Sequence, residues 1–478
     1  MNLSTIPLII NGEEISTSNL YPVYSHKHSQ DKICDFSYLS DYEKQIPEIC
    51  DHAEKGFEEW SSIPFNEKRN ILKKALELLV TKRDELVESH KVIGGPEWFS
   101  QFNVEGAVGQ LEEYISQLSQ PDGVVPKSNH CELALAYRQP IGTVLSISPW
   151  NAPVILGMRS IVGPLAAGCS IIVKSSDKSP HTAYLLVRCF LDAGVPKNAL
   201  QLVHLKPEDN PKAVELFLGN RAVKKVHFTG STSTGRAIAT VAARNLKPYM
   251  LELGGKNYSI VEEDADLDKA SQNILWSAWC HMGQICMSTD KTYVHESVYD
   301  KFLTMIKGTA ESIMKDPDYN LSQRDEGYAR SIRKLVSEAI SKGAKIEFGS
   351  ETKFSDSGEN VPVTPLILTN VTSDMLLDSV ETFGPVLSIY KYNDASSLVE
   401  KLNNDQSCLK TAIWSKNTVK ALRIAKKIQC GGIHINSSTV HDEPTIAHGG
   451  IRESGQGRLN SSWGIEEFSY VKTITIDE

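Results

Sequence analysis

Between Gly142 and Leu253, short apolar runs alternate with longer stretches in which apolar residues recur every three or four positions. The apolar runs predict strands at residues 144–147, 170–173, 200–204, 225–228 and 249–253. The periodic stretches predict helices at residues 154–167, 181–192, 211–218 and 233–243. Strands that alternate with helices in this way form right-handed βαβ units on a parallel sheet. Ligands of such sheets bind beyond the carboxyl ends of the strands.

A second unit of the same α/β type is predicted for residues 258–431. Asp264 to Leu267 is expected to cap the helix that leads to Cys286. Strands are predicted near residues 291–294, 387–390, 411–414 and 433–435. Residues 351–361 are polar and predict a surface loop.

The first part of the chain is predicted to be helical apart from one hairpin. Residues 1–25 predict a short surface hairpin around the turn Asn11-Gly12, and residues 41–118 predict helices. The helical pattern breaks within residues 91–104, where glycines and a proline precede three aromatic residues, namely Trp98, Phe99 and Phe102. Such aromatic residues either line the mouth of a pocket or pack on the core, and the sequence leaves both open.

Two further segments alternate polar and apolar residues, which is typical of strands with one face in water. They are residues 131–138, which follow a turn at residues 120–123, and residues 466–476 near the end of the chain. Both strands need the edge of another strand as a partner.

Composition excludes several classes of protein. The chain has 478 residues, of which 41% are hydrophobic. Its net charge of -9 argues against general affinity for nucleic acid or anionic membranes. Its nine cysteines include no CxxC pair, so neither a zinc site nor a disulfide framework is indicated. No two histidines have the HxxxH spacing, and no metal site is predicted. Without a signal peptide or a membrane-spanning run, the expected location is the cytoplasm.

The segment Gly283-Gln284-Ile285-Cys286 follows an apolar run that is rich in tryptophan, residues 274–280. The glycine allows the backbone to approach a ligand closely. We expect Cys286 to begin a helix, where amide N–H groups and the helix dipole would stabilise a thiolate. Taken alone, the pattern favours a buried core cysteine instead.

Two segments after predicted strands are candidates for binding a nucleotide. Phe228 to Arg236 combines a strand, a turn with Gly230-Ser231 and a helix start, so that amide N–H groups face an anion. Its GxxxxG spacing is not the dinucleotide fingerprint, and Arg236 stands where a Walker A loop needs lysine, so a plain helix cap is equally consistent. Lys174 and Asp177 follow another strand and suit ribose hydroxyls, although an ordinary strand exit is the alternative.

Three more segments carry polar groups suited to catalysis or binding. Ser148-Pro149-Trp150-Asn151 ends a strand, and its asparagine either stabilises an oxyanion or serves a turn. Glu252 lies in an apolar strand, where it is either a general base or the partner of Lys256 in a buried ion pair. Glu381 precedes Thr382-Phe383-Gly384-Pro385 and either holds sugar hydroxyls or belongs to a capped loop.

These motifs, in this order, resemble the aldehyde dehydrogenase superfamily over nearly the whole chain, from Leu8 to Ile476. The flanking segments resemble the branch of salicylaldehyde, vanillin and benzaldehyde dehydrogenases. Those segments are residues 150–159, 284–289, 448–450 and 454–458.

The resemblance implies an α/β fold with a Rossmann-type cofactor domain, an α/β catalytic domain and a bridging hairpin and strand. The cofactor domain would comprise residues 1–121 and 141–252, and the catalytic domain residues 253–440. The bridging segment would comprise residues 122–140 and 460–478. Its two alternating strands would find partners in another subunit, so a homodimer or homotetramer is expected.

The resemblance also implies roles for individual residues. Cys286 would attack the aldehyde carbon, and Asn151 with the Cys286 backbone N–H would hold the oxyanion. Hydride would pass to the nicotinamide, and Glu252 would activate the water that hydrolyses the resulting thioester. The cofactor would contact nine residues, namely Ser148, Trp150, Lys174, Asp177, Gly230, Ser231, Gly254, Glu381 and Phe383.

Two departures from the family pattern matter. Lys174-Ser175-Ser176-Asp177 replaces Lys-Pro-Ser/Ala-Glu, and the acid there repels a 2′-phosphate, so NAD is expected, with NADP as the alternative. The late motif Pro-Phe-Gly-Gly is replaced by Ala447-His448-Gly449-Gly450, which changes a loop near the pocket.

The expected substrate is an aromatic or apolar small-molecule aldehyde. Its pocket walls are expected among Trp98, Phe99, Phe102, Met158, Trp276 and Trp279. A medium-length aliphatic aldehyde would suit apolar walls equally. Two other functions remain as alternatives: a CoA-acylating aldehyde dehydrogenase, and a binding protein that kept the fold without catalysis.

Overall fold

The computed structural model describes residues 5–25, 31–315, 326–350 and 363–477. The predicted loop at residues 351–361 lies outside the described residues. The helices are α1 (Tyr42–Ser62), α2 (Phe65–Thr81), α3 (Arg83–Lys91), α4 (Glu97–Gln117), α5 (Pro153–Ala167), α6 (Pro180–Ala193), α7 (Asn210–Gly219), α8 (Thr232–Arg244), α9 (Leu267–Trp279), α10 (Tyr299–Ile313), α11 (Glu326–Ser341), α12 (Leu376–Ser379), α13 (Ala395–Asn404), α14 (Thr418–Ala425) and α15 (Ser461–Glu467).

The strands are β1 (Thr5–Ile6), β2 (Leu8–Ile10), β3 (Glu13–Ile15), β4 (Leu20–Tyr24), β5 (Lys32–Ser37), β6 (Gly123–Val124), β7 (Leu133–Pro140), β8 (Thr143–Ile147), β9 (Ile171–Lys174), β10 (Leu200–Val203), β11 (Val223–Gly230), β12 (Tyr249–Leu253), β13 (Asn257–Val261), β14 (Thr289–His295), β15 (Lys345–Phe348), β16 (Leu366–Thr369), β17 (Val386–Tyr392), β18 (Ser407–Cys408), β19 (Lys410–Trp414), β20 (Gly432–Ile435), β21 (Ile451–Arg452), β22 (Gly455–Gln456) and β23 (Ser469–Ile476).

An eight-stranded sheet has the order β22-β12-β11-β8-β9-β10-β2-β3, and its strands β8 to β12 are parallel. The predicted alternation of strands and helices from residue 144 to residue 253 is therefore confirmed. The helix predicted at residues 181–192 is α6, which ends at Ala193 before Gly194, whose φ of 115° is left-handed. The strand order reverses between β8 and β11, and such a switch point opens a crevice at the carboxyl ends of the strands.

Helices cover both faces of this sheet. Ile171 and Val173 of β9 belong to the core formed with α2, α4, α5 and α6, whereas Ile172 belongs to the core formed with α1, α7 and α8. Burial on both faces explains why β9 is apolar throughout instead of alternating.

A seven-stranded sheet has the order β15-β16-β17-β14-β13-β19-β20, with the edge strand β15 antiparallel to its neighbour. The four strands predicted for this unit are confirmed as β14, β17, β19 and β20. The sequence pattern missed β13, which lies between β14 and β19 and follows β12 after only three residues. So short a connection between β12 and β13 takes the chain directly from one sheet into the other.

The two alternating segments pair with each other. β23 runs antiparallel to β7 from Ser469 opposite Pro140 to Ile476 opposite Leu133, and β6 adds to the other side of β7. The predicted strands are confirmed, but the expectation that both find their partners in another subunit is wrong. β7 is the central strand of this three-stranded sheet, so the free edges of the sheet are the outer edges of β6 and β23.

The amino-terminal part differs from its prediction in two ways. The hairpin of β2 and β3 turns at Asn11-Gly12 as predicted, yet β2 pairs with β10 and is buried, because it extends the eight-stranded sheet. The predicted break ends earlier than expected: Pro96 is the N-cap of α4, so the aromatic residues at 98, 99 and 102 lie on a helix. Proline suits a helix start because its missing N–H is not needed there.

None of the helices formed by the described residues combines the length and the apolar character that crossing a membrane requires.

Candidate active site

A cavity of about 250 Å³ lies between the two large sheets. The residues predicted for the site that line it are Trp150, Asn151, Gly230, Ser231, Glu252, Gly254, Cys286, Glu381 and Phe383. Pro149, Leu156, Thr229, Tyr328, Ser331 and Thr382 also line it and were not predicted. Ser148, Lys174 and Asp177, which were predicted for the cofactor, do not line this cavity.

Strand register explains why distant motifs meet here. Ile147 of β8 lies opposite both Lys174 of β9 and Phe228 of β11, so the residues that follow β8 and β11 leave the sheet side by side. Thr229 lies opposite Glu252 of β12, which places Glu252 beside the turn after β11. The carboxyl ends of three parallel strands thus supply one wall of the cavity.

Cys286 lies in a turn between α9 and β14. The expectation that it begins a helix is wrong, because α9 ends at Trp279 and a short 3-10 turn, Cys280–Gly283, follows. The predicted cap of α9 is confirmed, since the Asp266 side chain accepts a hydrogen bond from the Lys269 N–H.

The backbone before Cys286 is held in an unusual conformation. His281, Met282 and Gly283 have φ angles of 49°, 56° and 69°, and only glycine adopts this left-handed region freely. A Cβ on Gly283 would lie 2.3 Å from the Gly384 carbonyl oxygen. The group that approaches Gly283 is therefore the backbone of the loop that carries Glu381 and Phe383, and the close approach of a ligand there stays a prediction.

Asn257 fixes the turn that carries Cys286. Its side-chain amide donates to the Cys286 carbonyl at 2.8 Å and to the Ser288 carbonyl at 3.0 Å. Its side-chain oxygen accepts a hydrogen bond from the Lys410 N–H at 2.9 Å. Asn257 was not predicted from the sequence, and its place directly after the motif around Glu252 was the available indication.

The Cys286 thiol has no helix dipole to stabilise its anion. Burial raises its pKa well above the ordinary value, and the nearby Glu252 carboxylate raises it further. Since the resting group is a thiol, it needs a base before it can attack a carbonyl carbon. Glu252 is 1% exposed and its charge acts on the Cys286 thiol, so it is placed to act as that base.

The alternative of an ion pair between Glu252 and Lys256 is wrong. The Lys256 ammonium instead pairs with Asp290 at 2.9 Å, and Thr382 donates to the same carboxylate oxygen at 2.7 Å. Glu252 is therefore not neutralised by its neighbour in sequence.

Asn151 connects the end of β8 with the turn of Cys286. Its side-chain amide donates a hydrogen bond of 2.9 Å to the Gln284 carbonyl, and the residue lines the same cavity as Cys286. An amide held in this way is suited to stabilising an oxygen anion that forms beside the sulfur.

Other residues of the cavity lining carry groups that can bind an anion or sugar hydroxyls. Ser231 is the N-cap of α8, where backbone N–H groups favour an anion. Gly254 forms a cradle for Glu381, because a Cβ there would lie 2.1 Å from a Glu381 carboxyl oxygen. Burial and the charge of Asp290 raise the pKa of Glu381 to about 8, so this group carries a proton at neutral pH and both donates and accepts hydrogen bonds.

Lys174 and Asp177 lie at the carboxyl end of β9, beyond the lining of the cavity. Burial lowers the pKa of Lys174 to about 8, while the charge of Asp177 partly opposes this shift. The two groups therefore interact, and they lie at the edge of the sheet that leads away from Cys286.

Three aromatic rings from separate elements meet at the cavity: Trp150, Tyr328 and Phe383. Their ring centroids are 5.8 to 6.2 Å apart, and the Lys178 ammonium lies over the Trp150 and Tyr328 rings. Tyr328 comes from α11 and follows no motif, so the sequence analysis missed it.

Apolar side chains form a cluster that shares Leu156 with the lining of the cavity. The cluster consists of Phe99, Ala152, Leu156, Cys280 and Ile285, with Ile155, Met287 and Val440 packed against it. Trp98, Phe102 and Trp276 lie nearby and are about half exposed. Met158 and Trp279 are wrong as pocket walls, because both are buried in cores elsewhere.

Known proteins resemble this chain over most of its length. A sequence profile described as "Aldehyde dehydrogenase family" matches residues 14–474. A vanillin dehydrogenase of Pseudomonas fluorescens is 36% identical over 430 residues, covering 89% of this chain and 88% of the relative. A salicylaldehyde dehydrogenase of Pseudomonas putida is 32% identical over 433 residues, with 89% and 88% covered. The crystal structure of the Pseudomonas putida G7 salicylaldehyde dehydrogenase with salicylaldehyde superposes with a TM-score of 0.92 at 29% identity, covering 100% of this chain and 98% of that chain.

Proposed function

Since the chain belongs to the aldehyde dehydrogenase family and is an NAD(P)-dependent enzyme that oxidises an aldehyde, we propose that Cys286 is its nucleophile and Glu252 its general base. The substrate in this proposal is an aromatic aldehyde or another apolar aldehyde. The observation that carries the proposal is the arrangement of Cys286, Glu252 and Asn151 around one cavity.

The chemistry follows from the protonation of these groups. Glu252 removes the proton of the Cys286 thiol, and the sulfur adds to the aldehyde carbon to give a thiohemiacetal. The Asn151 amide and the Cys286 N–H stabilise the oxygen anion. A nicotinamide dinucleotide supplies the acceptor for the hydride when it is bound. Once Glu252 has released the thiol proton to solvent, it deprotonates a water that hydrolyses the thioester to the carboxylic acid.

The cofactor would lie across the carboxyl ends of β8, β9 and β11. Ser231 with the N-terminus of α8 would hold a phosphate, and Glu381 would hold ribose hydroxyls beside Gly254 and Phe383. Lys174 and Asp177 would contact the other ribose, with Ser148, Trp150 and Gly230 nearby. The carboxylate of Asp177 disfavours a 2′-phosphate, so the proposal favours NAD over NADP.

Two observations support an apolar substrate. The cluster around Phe99 provides apolar walls beside the cavity that Cys286 lines. The relatives named above include proteins described as vanillin and salicylaldehyde dehydrogenases. A ring packed on such walls would bring its aldehyde carbon to Cys286.

The experiment is a comparison of kcat/KM for benzaldehyde, salicylaldehyde, vanillin, hexanal and succinic semialdehyde, each with NAD and with NADP. We expect the aromatic aldehydes with NAD to be preferred.

Cys286→Ser should lower activity by roughly a thousandfold or more, whereas Cys131→Ser, at a partly exposed cysteine beside β7, should not. An active Cys286→Ser variant combined with an inactive Cys280→Ser variant would refute the assignment. Formation of an acyl-CoA product when CoA is added would show that the acyl group of the thioester is transferred to CoA instead of being hydrolysed.

We also propose the domain division, the assembly and the location given by the sequence. Residues 1–121 and 141–252 would form the cofactor domain, 253–440 the catalytic domain, and 122–140 with 460–478 the bridging segment.

Exposed apolar side chains on β6 and β23 support a homodimer or homotetramer formed through the bridging segment; they include Val124, Val471 and Ile476. A monomer in sedimentation at micromolar concentration would refute this. The need to keep Cys286 reduced supports the cytoplasm.

A further inference from the structure

His448 lies between the candidate general base and a second buried carboxylate. Its Nε2 is 3.4 Å from Glu252 Oε1, and its Nδ1 is 3.4 Å from Asp442 Oδ1. The side chains of His448 and Glu252 are each 1% exposed, and that of Asp442 is 10% exposed. One imidazole ring therefore joins two carboxylates that water scarcely reaches.

Asp442 is anchored from its other side by Arg159, whose guanidinium Nη2 pairs with Asp442 Oδ2. Arg159 is 2% exposed, so the pair is buried. Although burial opposes ionisation of Asp442, the charges of Arg159 and His448 hold its pKa well below the usual range. Asp442 is thus an anion, and its Oδ1, 3.4 Å from His448 Nδ1, is placed to accept a hydrogen bond from an N–H at that ring nitrogen.

The orientation of the His448 ring toward Asp442 determines which ring nitrogen faces Glu252. With Nδ1–H directed at Asp442, the other ring nitrogen, Nε2, faces Glu252 Oε1. A lone pair on Nε2 would repel an ionised carboxylate, so the contact is favourable only with a proton between the two atoms. At 3.4 Å the contact is long, and catalytic hydrogen bonds of this kind shorten when the substrate is bound.

The surrounding charges balance the two carboxylates. Arg159 on α5 interacts with Asp442 and Glu252, and Lys410 on β19 interacts with Asp442 and Cys286. His434 on β20 also interacts with His448, and the charge of His448 contributes to lowering the pKa of His434. The buried network therefore contains groups of both signs and gives His448 fixed partners on two sides.

We propose that His448 is a positioning residue for Glu252: the Asp442–His448 pair holds the Glu252 carboxylate in the orientation in which it deprotonates the water that attacks the Cys286 thioester. In that step the water gives its proton to Glu252, its oxygen bonds to the acyl carbon, and the C–S bond breaks. The carboxylic acid leaves, and the Cys286 thiolate takes from Glu252 the proton that came from the water. The inference rests on the proposed role of Glu252. The family motif commonly has phenylalanine at this position, and phenylalanine lacks both ring nitrogens.

The test separates formation of the acyl-enzyme from its hydrolysis. p-Nitrophenyl acetate acylates a nucleophilic thiol without cofactor and releases nitrophenolate, so the rapid burst reports acylation of Cys286 and the slow phase reports hydrolysis of the thioester. Intact-protein mass spectrometry measures the accumulated acetyl-enzyme independently.

We expect His448→Phe to keep the burst amplitude while hydrolysis slows by about 100-fold, because a misdirected base loses about that factor. Acetyl-enzyme should then accumulate. His448→Gln keeps an N–H that reaches Glu252, so it should restore hydrolysis to within about threefold of wild type. His448→Asn reaches only toward Asp442 and should remain slow. A purely structural histidine would not separate glutamine from asparagine in this way.

Hydrolysis by His448→Phe within about twofold of wild type would overturn the inference. If His448→Phe loses its burst through misfolding, the comparison of the glutamine and asparagine variants decides, and equal hydrolysis rates for those two would overturn it as well. Glu252→Gln distinguishes a failure of the proposed general base from a failure of the inference about His448. If that variant hydrolyses normally, the proposed base is wrong; if it is slow while the histidine variants are not, only the inference about His448 fails.

Discussion

The Asn257 side-chain amide donates a hydrogen bond of 2.8 Å to the backbone carbonyl of Cys286. It also donates to Ser288, and its oxygen accepts from the backbone of Lys410, so one buried side chain ties β13, β19 and the turn of Cys286 together. The position of the sulfur relative to Glu252 depends on this turn, because no helix supports it.

Asn257→Ala should therefore impair both stability and catalysis. Loss of three hydrogen bonds in a buried place should lower the free energy of unfolding by roughly 2–4 kcal/mol. Activity should fall further than the loss of folded protein explains, since a displaced nucleophile loses its alignment. Denaturant unfolding together with kcat/KM measures both effects. Asn273→Ala on the surface of α9 is the matched control and should change neither. Unchanged activity in a folded Asn257→Ala enzyme would contradict this role.

The role of Asn257 also marks the limit of what the sequence predicts. The βαβ alternation from residue 144 to residue 253 follows from local periodicity, so the sheet and the strand ends that carry Asn151, Gly230 and Glu252 were predictable. Asn257 could not be assigned, because its partners are backbone carbonyls about 30 residues away. The helix predicted at Cys286 is wrong for a similar reason: the preceding residues have left-handed conformations and Gly283 lies against the backbone of Gly384, about 100 residues away in sequence, which local periodicity does not reveal.

Gly283→Ala should destabilise the enzyme and displace Cys286. Its φ of 69° disfavours any Cβ, and that Cβ would lie 2.3 Å from a backbone oxygen that cannot move independently. We expect a loss of roughly 2–4 kcal/mol in the free energy of unfolding. Gly308→Ala is the matched control, since Gly308 lies within α10 with nothing within 4 Å of the added Cβ. That variant should gain roughly 0.5–1 kcal/mol. Equal thermal unfolding of the two variants would contradict the argument.

The pKa of the Cys286 thiol should depend on Glu252. Burial and the Glu252 charge both raise this pKa, so Glu252→Gln removes one of the two causes and should lower it. The pH dependence of alkylation by iodoacetamide measures the pKa directly, because the thiolate is the reactive form. The alkylation midpoint of Glu252→Gln should lie at lower pH than that of wild type. The Cys286→Ser enzyme provides the background reaction of the other cysteines. A midpoint at the same pH in both enzymes would show that the Glu252 charge does not act on the sulfur.

Glu381 should make stability depend on pH in a predictable direction. Its pKa is raised to about 8 by burial and by Asp290, whereas in an unfolded chain it would titrate near the ordinary value of about 4.3. A group whose pKa is higher in the folded state stabilises the fold fully below the unfolded pKa. That contribution is lost as the pH rises toward the folded pKa. Relative to Glu381→Gln, wild type should therefore lose thermal stability between about pH 4.3 and pH 8.

The difference in Tm between wild type and Glu381→Gln, measured at intervals from pH 4.5 to pH 8.5, isolates this one group, because the other titrating groups are common to both proteins. Glu311→Gln, an exposed position on α10, is the control and should follow wild type at every pH. If wild type and Glu381→Gln gave parallel curves, Glu381 would be ionised throughout this range. It would then meet ribose hydroxyls only as an acceptor, whereas a protonated Glu381 both donates and accepts.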